Sequence, residues 1–175
     1  MRKLKLKELN RKSKEAYLES EKIPLIIVLD NIRSGMNIGS VFRTSDAFMV
    51  SKIYLTGISS VPPHREILKT AIGATESVVW EYVKETKDCI ASLKDSSHII
   101  YAVEQTTDST DIREIAQLPS RPTALVFGNE VGGVSDDILD IIDGSIEVPQ
   151  FGTKHSLNVS VCAGILIWEF FKKFS

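Results

Sequence analysis

Residues 124–133 are Ala-Leu-Val-Phe-Gly-Asn-Glu-Val-Gly-Gly, an apolar run that passes directly into a glycine-rich turn. The run Ala124–Phe127 has the length of a strand, and a serine after the turn precedes a helical pattern over Asp136–Ile142. A buried strand, a tight turn and a capped helix in this order are typical of α/β domains. This stretch therefore predicts one strand of a parallel sheet, with a polar Asn-Glu pair where the strand ends.

The same alternation of short apolar runs and helical patterns continues on both sides of this stretch. Six strands are predicted, at Leu25–Leu29, Lys52–Thr56, Ser77–Val83, His98–Val103, Ala124–Phe127 and Ser145–Val148. Helices are predicted over Asn37–Met49, Arg65–Ala71, Lys87–Leu93, Ile112–Ala116, Asp136–Ile142 and Leu157–Phe174. The sequence therefore predicts an α/β fold with a mostly parallel six-stranded sheet flanked by helices.

The last predicted helix, Leu157–Phe174, is apolar on most sides. A helix of this kind is buried in the core of its own domain or against another subunit. It is too short for a membrane span, and Asn158 and Glu169 interrupt it near its two ends. No membrane association is therefore predicted.

The composition is that of an ordinary globular domain. The chain has 175 residues, 43% hydrophobic and 25% charged, which excludes a disordered, collagen-like or transmembrane protein. The two cysteines, Cys89 and Cys162, are too few and too far apart for a zinc cluster or a disulfide framework, so no metal site is predicted. This cysteine usage indicates a reduced, cytoplasmic setting.

Charge is distributed unevenly along the chain. Residues 1–22 contain eight cations and four acids, whereas residues 23–175 contain 13 cations and 19 acids. We therefore predict a basic N-terminal helical arm over residues 1–22 and one domain over residues 23–175. Such an arm either binds a polyanion or is a solvated amphipathic helix, and charge alone does not distinguish the two.

Two polar segments follow predicted strands, at the edge of the sheet where open α/β folds bind ligands. In residues 30–44, Asn37 is expected to cap the next helix, and a capped helix with a surface arginine explains Arg43 when the segment is taken alone. In residues 127–134, the glycines let backbone groups reach a ligand. Their spacing matches neither a dinucleotide fingerprint nor a P-loop, and a tight turn explains the glycines but not the Asn-Glu pair.

A third polar segment, residues 148–160, also follows a predicted strand. Ser156 is expected to cap the last helix, which would leave Asn158 inside a buried helix, where its amide needs partners. Lys154 and His155 add positive charge suited to a phosphate. We favour a functional site here over a capped helix with a satisfied internal amide.

Together the three segments resemble the SpoU/TrmH family of RNA ribose 2′-O-methyltransferases, part of the knotted SPOUT superfamily. The resemblance covers roughly residues 25–171. It is carried by three motifs, Asn37-x-Gly39-x-x-x-Arg43-Thr44, Phe127-Gly128-Asn129-Glu130-x-x-Gly133, and Val148-Pro149-Gln150 followed by Ser156-Leu157-Asn158-Val159-Ser160. Each motif alone is weak, but three in this order are a specific signal.

The resemblance implies a C-terminal trefoil knot, a homodimer, and S-adenosylmethionine bound in the knot. The residues that it implies for cofactor binding are Phe127, Gly128, Asn129, Gly132, Gly133, Ile146, Val148, Pro149, Ser156 and Leu157. Those implied for RNA binding are Asn37, Arg43, Lys154 and His155. Those implied for catalysis are Arg43, Glu130, Ser156 and Asn158.

The implied reaction is methyl transfer from S-adenosylmethionine to a ribose 2′-hydroxyl. In the family, the residue at the position of Arg43 has been proposed as the general base. A guanidinium has a pKa above about 12 and normally stays protonated. This favours a different role for Arg43, in which it binds the phosphate and stabilises the developing alkoxide. Glu130 is expected to pair with Arg43 and orient it.

The implied substrate is tRNA, with a D-loop guanosine as the target. The chain has no room for a separate N-terminal RNA-binding domain, and residues 103–106 and 166–169 are similar to members acting on that guanosine. The alternatives are an rRNA 2′-O-methyltransferase, a catalytically silent RNA-binding module of the same fold, and an unrelated nucleotide-binding α/β protein.

Overall fold

A seven-stranded parallel sheet forms the centre of the molecule. The computed structural model describes the backbone of residues 1–175 and every side chain but that of residue 6. The strands are β1 (Ile23–Asp30), β2 (Val50–Thr56), β3 (Trp80–Val83), β4 (Ile99–Val103), β5 (Thr110–Asp111), β6 (Thr123–Phe127) and β7 (Gly144–Glu147). Their order across the sheet is β3-β2-β1-β6-β4-β7-β5, and every neighbouring pair is parallel.

Helices connect and cover these strands. They are α1 (Lys14–Glu19), α2 (Gly35–Ala47), α3 (Arg65–Ala71), α4 (Thr86–Asp95), α5 (Asp136–Leu139) and α6 (Val159–Phe174). Three short 3-10 helices lie at Leu6–Leu9, Ala74–Glu76 and Ile112–Gln117. Of the helices within the described residues, none has the length and apolar character needed to cross a membrane.

The predicted α/β architecture with a parallel sheet is confirmed, but the predicted count of six strands is wrong. The additional strand is β5, which pairs with β7 through Thr110 and Asp111. A strand of only two residues is too short to show a periodic pattern, so sequence periodicity gives no signal for β5. The helix predicted over Ile112–Ala116 is a 3-10 helix, and the last helix begins at Val159, two residues later than expected.

The core lies on both faces of the sheet, because side chains of a strand alternate in direction. On β1, Leu25, Ile27 and Leu29 face a cluster that includes residues of α2, α3 and α6. Ile26 and Val28 face the opposite cluster, which includes residues of α4 and α5. Burial on both faces explains why the strand is a continuous aliphatic run rather than an alternating one.

Gly39 lies in α2 at the contact with α3. A Cβ atom at this position would overlap the carbonyl oxygen of Ile67 and the hydroxyl of Thr70. Gly39 therefore allows α2 and α3 to pack closely against each other. It does not serve to bring the backbone close to a ligand.

Replacing Gly39 by alanine should destabilise the fold by about 2 kcal/mol or more, because overlap with backbone outweighs the ~1 kcal/mol by which alanine favours a helix. Gly164 in α6 is a matched control, since its Cβ would lie 4.0 Å from the nearest atom, Cγ2 of Thr44. Gly164→Ala should therefore be neutral or stabilising. Urea unfolding measures both changes, and equal midpoints for the two variants would contradict the packing argument.

Within residues 1–22, the expected helical arm consists of two short helices, the second of which packs on the domain. Tyr17 in α1 is buried, and burial together with the charge of Asp46 raises the pKa of its phenol to about 12. Lys22 Nζ lies 4.2 Å from the centroid of the Tyr17 ring, and Lys14 forms an ion pair of 2.9 Å with Glu76. The segment around Tyr17 is therefore part of the folded domain surface.

Candidate active site

An open cleft of about 720 Å³ lies where β4, β6 and β7 end. Its walls come from residues 103–106 at the end of β4, residues 127–134 at the end of β6, residues 146–148 and 150 at the end of β7, and residues 155–159 at the start of α6. The volume lies within the ~300–1,000 Å³ typical of small-molecule sites. Apolar side chains form part of the lining, namely Val103, Phe127, Leu139, Ile146, Val148 and Leu157.

The charged groups of this cleft are mainly carboxylates. Four line it, those of Glu104, Glu130, Asp136 and Glu147. Among the described lining residues there is no lysine or arginine, and His155 is the only histidine. This charge disfavours a phosphate group and favours a ligand that carries positive charge, which argues against an ordinary nucleotide site. Nor do the described residues include three His, Cys, Asp or Glu placed to hold a metal ion.

The glycine-rich loop after β6 is a tight turn held by Asn129. The side-chain oxygen of Asn129 accepts hydrogen bonds from the backbone N–H of Val131 (2.9 Å) and Gly132 (2.8 Å). Its carbonyl accepts a third bond, from the N–H of Gly133 at 2.9 Å. Asn129 therefore shapes the loop, and the turn explains both the glycines and this asparagine.

Side chains from the three motifs form a hydrogen-bonded chain beside the cleft. Asn37 Nδ2 donates to Glu130 Oε1 at 2.9 Å, and Asn158 Nδ2 donates to Asn37 Oδ1 at 3.1 Å. The expected pair between Glu130 and Arg43 is not formed within one chain: Glu130 contacts Asn37, and Arg43 lies at a separate hollow. We call Glu130, Asn37 and Asn158 the amide chain.

Two helix caps differ from the expected ones. Asn158, not Ser156, caps α6, since its Oδ1 accepts from the N–H of Ser160 at 2.9 Å. Ser34, not Asn37, caps α2, because its hydroxyl accepts from the N–H of Asn37 at 3.3 Å. The side chain of Asn37 therefore remains available for the amide chain.

Arg43 lies outside the cleft. It is exposed on α2 and contributes to a separate hollow of about 320 Å³, which is lined also by Lys14, Asp46, Ala71, Ile72, Gly73, Ala74, Glu76 and Ser77. Of the other predicted RNA-binding residues, His155 lines the cleft, whereas Lys154 is exposed beside it and Asn37 belongs to the amide chain. A single chain therefore does not bring Arg43 to the predicted cofactor site.

Most of the predicted cofactor-binding residues do line the cleft. These are Phe127, Gly128, Asn129, Gly132, Gly133, Ile146, Val148, Ser156 and Leu157, whereas Pro149 is not part of the lining.

Sequence reasoning gave no role in the cleft to several lining residues, among them Glu104, Gln105 and Cys162. Burial, with the nearby charge of Glu104, raises the pKa of the Cys162 thiol to about 11. This shift keeps the Cys162 thiol in its protonated form at neutral pH.

The sequence model of the SpoU rRNA Methylase family matches residues 24–168. This chain belongs to the SpoU family. The resemblance predicted from the three motifs is thereby confirmed. Two relatives named tRNA (guanosine(18)-2′-O)-methyltransferase are similar to this SpoU-family chain. The protein from Thermus thermophilus is 31% identical over 93% of this chain and 81% of its own length, and that from Aquifex aeolicus is 34% identical over 87% and 71%.

Solved structures of the SpoU family have the same fold. The crystal structure of the A. aeolicus TrmH/SpoU tRNA modifying enzyme has a TM-score of 0.79 at 30% identity, over 90% of this chain and 78% of that one. The SpoU methyltransferase AviRb from Streptomyces viridochromogenes, solved with AdoMet, has a TM-score of 0.79 at 20% identity, over 89% and 62%. The second likeness shows the fold alone.

Proposed function

We propose that this SpoU-family chain transfers a methyl group from S-adenosylmethionine to a ribose 2′-hydroxyl of tRNA, with a D-loop guanosine as the target. The names of the Thermus and Aquifex relatives support this substrate. The observation that carries the proposal is the cleft itself, which combines apolar walls with four carboxylates and is lined by the second and third motifs.

The cleft residues fit S-adenosylmethionine better than they fit a nucleotide phosphate. The cofactor combines a flat aromatic adenine with a sulfonium, an ammonium and a carboxylate, so its net charge is positive, and an acidic cleft without lysine or arginine in its described lining suits that charge. Phe127, Ile146, Val148 and Leu157 would hold its apolar part. When bound, S-adenosylmethionine supplies a methyl group on a good leaving group, and transfer to the ribose oxygen leaves S-adenosylhomocysteine.

The chain's own residues position the ribose and stabilise its oxygen. Arg43 binds the adjacent phosphate and stabilises the negative charge that develops on the 2′-oxygen as it attacks the methyl carbon and its proton passes to solvent water. The amide chain and Ser156 orient the ribose at the cleft edge. The role of Arg43 is thus electrostatic, which needs no loss of a proton from its guanidinium.

A homodimer would bring Arg43 to the cofactor. Three apolar side chains of α6 are exposed at helical spacing, namely Val161 (53%), Ile165 (37%) and Trp168 (45%). This stripe adjoins α2, the helix that carries Arg43, because α2 and α6 pack together. We propose that a second copy covers the stripe and that Arg43 of each copy faces the cleft of the other.

The topology supports the proposed trefoil knot. After β7, which lies beyond β4, the chain returns across the sheet to pack α6 on α2 and β1. The segment that returns is the one that lines the cleft, so a knot would hold the cofactor loops together.

A cytoplasmic location fits a tRNA substrate and the two free cysteines. The basic residues of the arm would add sequence-independent phosphate contacts.

Incubation with methyl-labelled S-adenosylmethionine and either tRNA or rRNA, followed by nuclease digestion, tests this function. We expect label in a 2′-O-methylated guanosine of the tRNA D-loop. Label in rRNA alone would contradict the tRNA assignment but would still support RNA methyl transfer. Cofactor binding without label in either RNA would instead favour the silent RNA-binding module.

A further inference from the structure

Glu104, directly after β4, holds the glycine-rich loop of the neighbouring strand. Its Oε2 accepts a hydrogen bond from the N–H of Val134 at 3.1 Å, and its Oε1 accepts one from the N–H of Gln105 at 3.0 Å. The first bond ties the end of the loop over residues 128–134 to β4. A carboxylate acceptor makes this bond stronger than one between neutral groups.

Gln105 holds the segment between β7 and α6. Its Nε2 donates to the carbonyl oxygen of His155 at 2.9 Å. Within the described structure, this is the only hydrogen bond to the backbone of residues 149–157. Every residue from 151 to 158 is exposed, so little packing restrains the segment. The position of this segment therefore depends on a single amide.

We propose that Glu104 and Gln105 are positioning residues that set two walls of the cofactor cleft, an inference that rests on the proposed function. Glu104 sets the loop over residues 128–134. Gln105 sets the segment over residues 149–157, which contributes Ser156 and Leu157 to the cleft lining and also carries Lys154 and His155. Two adjacent residues at the end of one strand thus hold two different loops around S-adenosylmethionine, and Gln105 also holds the residues expected to contact the RNA.

The Glu104 part is tested by calorimetric titration of S-adenosylmethionine, which needs no RNA. Glu104→Ala should weaken binding about 10- to 100-fold, the value of a lost hydrogen bond to a charged group. Glu104→Gln should recover much of this loss, because an amide oxygen still accepts from Val134. Glu114→Ala, on the 3-10 helix outside the cleft lining, is the matched control and should bind as the unaltered chain does.

Equal weakening by Glu104→Gln and Glu104→Ala would overturn the positioning role, because it would mean that the charge itself contacts the cofactor. Unchanged binding by Glu104→Ala would overturn it as well. If the unaltered chain binds no S-adenosylmethionine, it is the proposed function that fails. Thermal unfolding of each variant without ligand separates misfolding from altered binding.

The Gln105 part is tested by the same titration together with the KM for tRNA. Gln105→Ala and Gln105→Glu, neither of which can donate to His155, should each weaken binding of S-adenosylmethionine and raise this KM, both about fivefold. Gln117→Ala is the control of the same residue type outside the cleft lining and should change neither quantity. Unchanged cofactor affinity in both Gln105 variants would overturn the positioning role of this residue.

Discussion

Arg43→Ala should lower the rate of methyl transfer about a thousandfold, because the developing alkoxide loses its positive neighbour. The affinity for S-adenosylmethionine should stay within about threefold of the original value, since Arg43 lies outside the cleft. Single-turnover transfer to tRNA and calorimetric titration of the cofactor measure the two quantities. Full activity in this variant would contradict the catalytic role.

Mixed dimers show which copy supplies Arg43. Arg43→Ala and Asn158→Ala subunits should each be inactive alone, whereas mixing them should restore roughly a quarter of the active sites if Arg43 acts across the interface. One site of each mixed dimer would then combine an intact cleft with the intact Arg43 of the other copy. If Arg43 acts within its own chain, mixing restores nothing.

Gly128→Ala should reduce the affinity for S-adenosylmethionine about a hundredfold or more, because an added methyl group forces the loop wall of the cleft to move. A Cβ at Gly128 would overlap the carbonyl group of Gly133 and the backbone nitrogen of Val134. Backbone atoms held in a tight turn cannot rotate aside as a side chain can.

Gly152→Ala is the matched control for this loop substitution. Its Cβ would meet no atom within 4 Å, and Gly152 does not belong to the cleft lining. Its affinity for the cofactor should therefore be unchanged. Calorimetric titration measures both variants, and similar affinities would show that the loop relaxes around the added methyl group.

The sequence predicts the long elements of this fold because each of them carries a clear apolar pattern. The strand β1 and the helix α6 carry continuous apolar patterns that specify burial wherever the neighbours lie. β5 has two residues and owes its pairing to β7. Ser156 and Asn158 could each cap the start of α6, and in the structure Asn158 is the N-cap. The sequence pattern places such a boundary only within a few residues.

The residues of the candidate site were easier to predict from the sequence than the hydrogen bonds that these residues form. Motif spacing located Asn37, Glu130 and Asn158, but the bonds among them depend on how three loops meet in space. Charge complementarity favoured Arg43 as the partner of Glu130, and the structure places Asn37 there. The similarity of residues 103–106 to relatives draws attention to Glu104 but does not predict its bond to the loop, because that bond depends on the neighbouring positions of β4 and β6.

The amide chain also fixes the order in which the enzyme becomes competent during its synthesis. Asn37 is 93 residues from Glu130 and 121 residues from Asn158 along the sequence. A ribosome makes the chain from its N-terminus, so β1 and α2 exist long before the segment that contains Asn158. The bond between the two asparagines cannot form until the chain has been made beyond residue 158. A nascent chain that ends before this residue therefore lacks the cleft wall formed by residues 155–159.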